Sequence, residues 1–293
     1  KVGFEIPLLL NMQPAGDFLG EAFFRSGGVP AVMGELLEAK LLHTGTITVN
    51  GKSIGENVEN HKSDDTNVIK KVTNPIMKNA GFIVLSGNLF DSALMKTSVI
   101  SEDFRKRFLS NSGEENILRA KAVVFEGPED YHNRLNDPEL NIDEKTILFI
   151  RGVGCVGYPG SAEVINMQPP DRLLKKGINT LPTLGDGRQS GTSASPSILH
   201  VSPESAIGGD LGIVKTGDQI KIDLNKRRVD LLIPQTEFKI RRKKRKLFKF
   251  NNQTPWQEIF RDTVGQLEDG ACINSRGKYL DVSHTKGLPR DSH

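Results

Sequence analysis

The pattern of apolar and polar positions gives the chain two textures. In the first, over residues 7–42, apolar side chains recur at helical spacing: 17–25 is a short amphipathic segment, Gly27 and Gly28 interrupt it, and Pro30 opens a second helix over 31–42. Lys40 and His43 end that helix with positive charge, where the macrodipole favours it. Residues 47–54 alternate around Asn50-Gly51, the signature of a tight hairpin, and 60–74 are polar with few apolar anchors, as expected of a connection. After Pro75 the second texture begins. Seven short runs rich in Val, Ile and Leu, at 82–86, 121–126, 146–151, 178–184, 211–215, 219–223 and 228–233, are separated by Gly, Pro and Asp. With helices over 128–135 and 170–176 between some of them, they predict a closed or strongly curved sheet in an α+β fold. Pro203 to Ala206 reads as a helix start with Glu204 as a first-turn acid, and Thr254-Pro255 caps a final helix with Trp256, Ile259, Phe260, Val264 and Leu267 as its apolar face.

Composition narrows the function classes. The 293 residues are 37% hydrophobic and 26% charged, with room for one large domain or two ordinary ones. A net charge of +3 is too small to imply a nucleic-acid partner. No apolar run approaches a membrane span, so no membrane partner is expected. The basic run 239–249 stands alone and reads as a solvated, partly helical connector, with a phosphate-binding patch or a nuclear signal as the functional alternatives. Cys155 and Cys272 form no metal spacing, and their scarcity fits a reducing compartment. The first residue is Lys1, and 2–7 read as an interior connection, so the chain is expected to begin partway through a longer protein.

Two glycine loops follow apolar strands and hold the candidate chemistry. Residues 185–193, Gly-Asp-Gly-Arg-Gln-Ser-Gly-Thr-Ser, combine turn-forming glycines with hydroxyls, a carboxylate and a guanidinium. Exposed amides in such a turn attract oxyanions, and Ser190 beside Gly191 is free of bulky neighbours. Its hydroxyl is a candidate nucleophile, base or hydrogen-bond donor, and the bland alternative is a turn joining two strands. The second loop, 152–163, ends in Glu163, which is either an acid at a helix N-terminus or a hard oxygen ligand for Mg²⁺.

The run 157–167, Gly-Tyr-Pro-Gly-Ser-Ala-Glu-Val-Ile-Asn-Met, the run 185–193 and the run 86–93, Ser-Gly-Asn-Leu-Phe-Asp-Ser-Ala, together resemble the dihydroxy-acid and sugar-acid dehydratase family. The runs 125–130, 50–51 with 55–57, and 254–258 agree with it, so the likeness covers nearly the whole chain. The Tyr-Pro-Gly at 158–160 is similar to the aldonate branch, the arabinonate and xylonate type.

The resemblance implies a hydro-lyase that converts a 2,3-dihydroxy acid to a 2-keto-3-deoxy acid. In this family an iron–sulfur cluster, [2Fe-2S] here, holds the departing hydroxide and Mg²⁺ binds the carboxylate side of the substrate. By the same likeness Ser190 is the base, Thr192 and Gly191 contact the substrate, Gly187 keeps the loop open, and Glu163 ligates Mg²⁺. The cluster cysteines match nothing in this chain; Cys155 stands where relatives have proline, and the chain alone is expected to be inactive. The implied organisation is a helical remnant of the cluster domain over 1–74, a β-barrel-like swivelling domain over 75–235, and a basic connector with terminal helix and tail over 236–293. The implied whole is cytoplasmic, a homodimer or homotetramer acting on an aldonic acid. The rival readings are a non-catalytic truncated barrel with an assembly role, and a phosphate-binding module built on the 185–193 loop.

Overall fold

A computed structural model describes the chain apart from residues 1–2, 14–15, 162–166, 189–195, 247, 251–253 and 274–293. It divides into two compact units, one built mainly from residues up to Ile83 with Lys96–Glu102, the other from Val84–Met95 and from Asp103 onward.

In the first unit, helices α1 (Gly20–Arg25), α2 (Gly28–Glu38) and α3 (Ile54–Val58) accompany a small core of Ala31, Val68 and Ile69, against which Leu10, Phe18 and Phe23 pack. The second helix ends earlier than its apolar spacing predicts, because Lys40 takes a left-handed φ of 60° after the Ala39 cap. The Asn50-Gly51 turn forms, with Gly51 at φ 80° and the Thr48 amide donating to Lys52 O at 2.9 Å, but its flanks pair only through a single Ile47–Ser53 bridge. A Ser53/Glu56 capping box starts α3 immediately after the turn, so the second flank has no room to extend as a strand.

Among the described residues eight strands form a closed barrel: β1 (Phe82–Gly87), β2 (Ser92–Lys96), β3 (Ile117–Phe125), β4 (Thr146–Ile150), β5 (Thr183–Gly185), β6 (Ser197–Ser202), β7 (Gln219–Asp223) and β8 (Arg228–Leu231), in the spatial order β1-β2-β6-β5-β4-β3-β7-β8. The α+β fold with a barrel, as expected from the sequence, is therefore present. Every residue of β4 is buried, the signature of a central strand covered on both faces. Strands β3, β4, β5 and β6 run parallel to one another. The segments leaving their carboxyl ends, after Phe125, Ile150, Gly185 and Ser202, consequently share one rim, the end of a parallel sheet where sites are usually built.

The main core of this unit gathers Phe125, Leu148, Ile150, Val153, Leu181 and Leu199, with Tyr131 of α5 (Pro128–Arg134) edge-on to Phe125 at 5.3 Å. The barrel closes where β1 meets β8 at Ser86–Arg228 and Gly87–Val229. A Cβ on Gly87 would lie 1.7 Å from Val229 O, so only glycine permits this seam.

The run 178–184 yields only the short β5, and 211–215 folds as a 3₁₀ turn, Asp210–Ile213, whose Leu211 and Ile213 are buried without pairing. Strands β2 and β6 and helix α4 (Glu102–Phe108) were not legible as elements. Helix α6 (Asp171–Leu174) falls inside the expected 170–176, α7 (Gln235–Lys244) begins the basic run, and α8 (Pro255–Thr263) starts at a Thr254/Gln257 capping box. Of the expected apolar face of this segment, Trp256 and Ile259 are exposed, while Phe260, Val264 and Leu267 are half-buried. Among the described residues no helix is long and apolar enough to cross a membrane.

Candidate active site

The rim is organised by two buried carboxylates. Asp186, wholly buried just past β5, accepts the amide of Val153 at 3.0 Å through Oδ1. Its Oδ2 accepts the amides of Gly152 at 3.2 Å and Ser205 at 2.9 Å, and the Ser205 hydroxyl at 2.5 Å. One side chain therefore joins the segments leaving β4, β5 and β6.

Glu204, 2% exposed, does the same for the next turn of the first loop. It accepts the amides of Val156 and Gly157, both at 2.9 Å, and the amide nitrogen of the Gln266 side chain at 2.9 Å, while Gln266 Oε1 takes the Glu204 backbone N–H. Burial, and secondarily the charge of Asp186, push the Glu204 carboxyl above its ordinary pKa. From the other side, Arg261 of α8 donates Nε–H to Val156 O at 2.9 Å.

These contacts explain two of the glycines. A Cβ at Gly154 would lie 2.4 Å from the Glu204 carboxylate, and one at Gly157 2.7 Å from Gly152 O. Both positions are glycine because the protein's own groups come close, and the loop's amides are spent on Asp186 and Glu204. This corrects the expectation that Glu204 is a first-turn helix acid: only a 3₁₀ turn, Ser205–Ile207, follows it, and its carboxylate is drawn to the unsatisfied amides of the neighbouring loop. Cys155 is buried inside the same loop. Burial first, then the Glu204 charge, raise its thiol pKa, which holds it protonated and makes it a poor metal ligand.

Of the residues expected to carry chemistry, Glu163, Ser190, Gly191 and Thr192 lie outside the described residues. Gly187 is buried and its carbonyl accepts the His200 amide at 2.8 Å; Arg188 is exposed. Sequence reasoning missed Asp186, Glu204, Ser205 and Gln266. Only Asp186 left a usable signal, an acid between two glycines directly after an apolar strand. Among the described residues no three His, Cys, Asp or Glu side chains come together as a metal site.

Comparison with known proteins matches the dihydroxy-acid/6-phosphogluconate dehydratase C-terminal model over residues 67–271 and the corresponding N-terminal model over residues 1–57. A D-xylonate dehydratase of Caulobacter vibrioides is 53% identical over 293 residues, 100% of this chain and 49% of the relative. An L-arabinonate dehydratase of Rhizobium leguminosarum bv. trifolii is 38% identical over 238 residues, covering 81% of this chain and 39% of the relative. A dihydroxy-acid dehydratase of Acetivibrio thermocellus is 34% identical over 245 residues, covering 83% and 42%. The chain thus spans about half the length of the curated relatives it matches. With the C-terminal model covering most of its length, the chain belongs to the dihydroxy-acid/6-phosphogluconate dehydratase family.

Proposed function

We propose that this chain forms part of a hydro-lyase that dehydrates an aldonic acid to its 2-keto-3-deoxy acid. The observation that carries the reading is the 53% identity to a D-xylonate dehydratase along the entire chain, supported by the 38% identity to an L-arabinonate dehydratase. The substrate is a five-carbon aldonate of the xylonate or arabinonate type.

In this reading Ser190 removes the C2 proton, Thr192 and Gly191 hold the substrate, and Glu163 is a ligand for Mg²⁺. A serine hydroxyl serves as a base only where nearby positive charge makes its alkoxide accessible. In this family an iron–sulfur cluster supplies the Lewis acid for the departing hydroxide. The described residues do not assemble a site for such a group. What they do is hold the rim: Asp186 and Glu204 fix the segments that lead toward Ser190 and Glu163. The enzyme acts as a cytoplasmic homo-oligomer, with residues 1–74 belonging to the cluster-binding domain, 75–235 to the catalytic barrel and 236–293 to the connector and terminal helix.

The test is a keto-acid assay of the intact protein on xylonate and arabinonate, with Ser190→Ala beside the unaltered protein. Turnover of one aldonate, lowered at least ~10²-fold by the substitution with iron content unchanged, is the expected result. Near-normal kcat in Ser190→Ala removes the serine from the role of base, and no turnover of either acid by the intact protein removes the substrate assignment.

A further inference from the structure

The basic run at 239–249 is assigned no role in the proposed dehydration, and its described residues line one side of a groove of about 780 Å³. Among the described residues, seven cationic side chains line this groove against two carboxylates, Glu126 and Glu237. Three of the seven are arginines with partners. Arg151 holds Glu126 through Nε at 2.9 Å and donates to the carbonyls of Leu211 and Val214; Arg241 binds Asp218 at 2.5 Å and Glu237 at 2.8 Å; Arg245 binds Gly208 O and Asp210. These pairs occupy both groove carboxylates and fix its wall.

The other four are Lys215, Lys244, Lys246 and Lys249, all exposed. Among the described residues none of their ammonium groups has a hydrogen-bond or ion-pair partner. Positive charge concentrated in a concavity focuses the field on an anion far more than the same charges spread over a convex face. Lys244 lies in the last turn of α7, where the helix dipole favours positive charge, whereas Lys215, Lys246 and Lys249 lie outside that helix.

The groove also has an apolar strip. Ile240 is 48% exposed and Phe248 38% exposed. The Phe248 ring is seated on Gly152, where a Cβ would come within 2.5 Å of it. A bare inorganic anion has no use for such a surface, whereas a ligand with a flat or apolar end does.

We propose that this groove binds a small molecule bearing two or more linked phosphates, of the nucleoside di- or triphosphate class. Lys215, Lys244, Lys246 and Lys249 take the phosphates, and Phe248 and Ile240 take the base. The groove borders the rim, since Ser205 lines it and Phe248 rests on Gly152, but the proposed ligand contacts use none of the residues assigned to the dehydration.

Isothermal titration of the intact protein with ATP and with inorganic tripolyphosphate tests it. Saturable binding of ATP with one site per chain is expected, weakening at least about 10-fold between roughly 50 and 300 mM salt. The double substitution Lys244→Gln/Lys246→Gln weakens both ligands by at least about 10-fold, while Phe248→Ala weakens ATP alone by about 3-fold or more. Lys226→Gln, outside the groove, changes neither, and unaltered melting without ligand shows that the variants remain folded. The proposal is overturned by absence of saturable ATP binding at low salt, by affinities that ignore the lysine pair, or by equal ATP affinity with and without Phe248. Tighter binding of a single-stranded oligonucleotide than of ATP, lost with the same lysines, also overturns it and makes the groove part of a nucleic-acid surface.

Discussion

Replacing Asp186 separates the two things its carboxylate does, accepting hydrogen bonds and holding charge. Asparagine keeps the shape. With its carbonyl oxygen in the Oδ2 position it retains the bonds from Gly152, Ser205 N and Ser205 Oγ, but it turns an amino group toward the Val153 amide, donor against donor. One buried amide left unsatisfied costs about 1–3 kcal/mol, part of it offset because loss of the charge relieves repulsion with Glu204. Alanine removes the acceptor for two backbone amides at once, those of Val153 and Ser205, while the Gly152 amide keeps the Ser205 hydroxyl oxygen at 2.9 Å. That change is expected to cost about 2–6 kcal/mol. At roughly 2 °C per kcal/mol, Asp186→Asn lowers the melting temperature by a few degrees and Asp186→Ala by about twice as much. Circular dichroism melts of the two variants measure the ratio, and hydrogen exchange at Gly152, Val153 and Ser205 locates it. Equal losses in the two variants, or an alanine variant within about 1 °C of the unaltered protein, would refute the account of Asp186 as the junction of three rim segments.

Three other outcomes are expected. Glu204 has a folded pKa above its unfolded value, so the folded state binds the extra proton: its contribution to stability is complete below the ordinary carboxylate pKa and is lost as pH rises through the raised one. The melting temperature of Glu204→Gln relative to the unaltered protein should therefore improve as pH rises through that window, and a pH-independent difference would contradict the assignment. Gly87→Ala should open the β1–β8 seam, since its methyl would displace Val229 O; loss of exchange protection at the seam amides is the readout, and an unchanged melt would disprove the close approach. In the intact protein, Ser190→Cys reports the field at the proposed base: ultraviolet thiolate absorbance against pH should show a thiol titrating below its ordinary value near 8.5, and a value above it would exclude a base at that position.

The barrel was legible where a strand is buried on both faces and bounded by turn residues, as with 146–151, because a short continuous apolar run containing β-branched and aromatic residues favours a buried strand. It was illegible where the same apolar content serves a different backbone. Residues 211–215 bury Leu211 and Ile213 like a strand, but the adjacent glycines Gly208, Gly209 and Gly212 let the chain close into a 3₁₀ turn. Conversely β6 is buried at five of its six positions, yet its serines at both ends and His200, at a left-handed φ of 57°, make it look like the tail of the preceding loop. The capping box of α8 was readable from Thr254-Pro255, but a helix's own periodicity does not reveal whether anything covers its apolar face, and Trp256 and Ile259 remain open. At the site, the loops were visible as glycine patterns. The carboxylates that hold them were not, because Glu204 and Gln266 lie about 50 and 110 residues from the loop they support, and local pattern says nothing about such distances.

The glycine loops therefore have a different electrostatic meaning from the one their composition suggests. Amides expected to be available to a substrate oxyanion are satisfied by Asp186 and Glu204, so in the described rim the loop from Gly152 to Gly157 presents bound amides in place of free donors. Cys155 reports the result, its thiol held protonated by burial and by the Glu204 charge. Ser190 follows Asp186 by four residues in the chain, and a carboxylate close to a serine raises the cost of forming its alkoxide. Of the guanidinium groups at this end, Arg151 is committed to Glu126, which leaves Arg261, donating to Val156 O, and the exposed Arg188. A serine base here thus requires positive charge to accompany the two buried carboxylates. The proposed reaction stands only if that charge outweighs the two carboxylates that give the rim its shape.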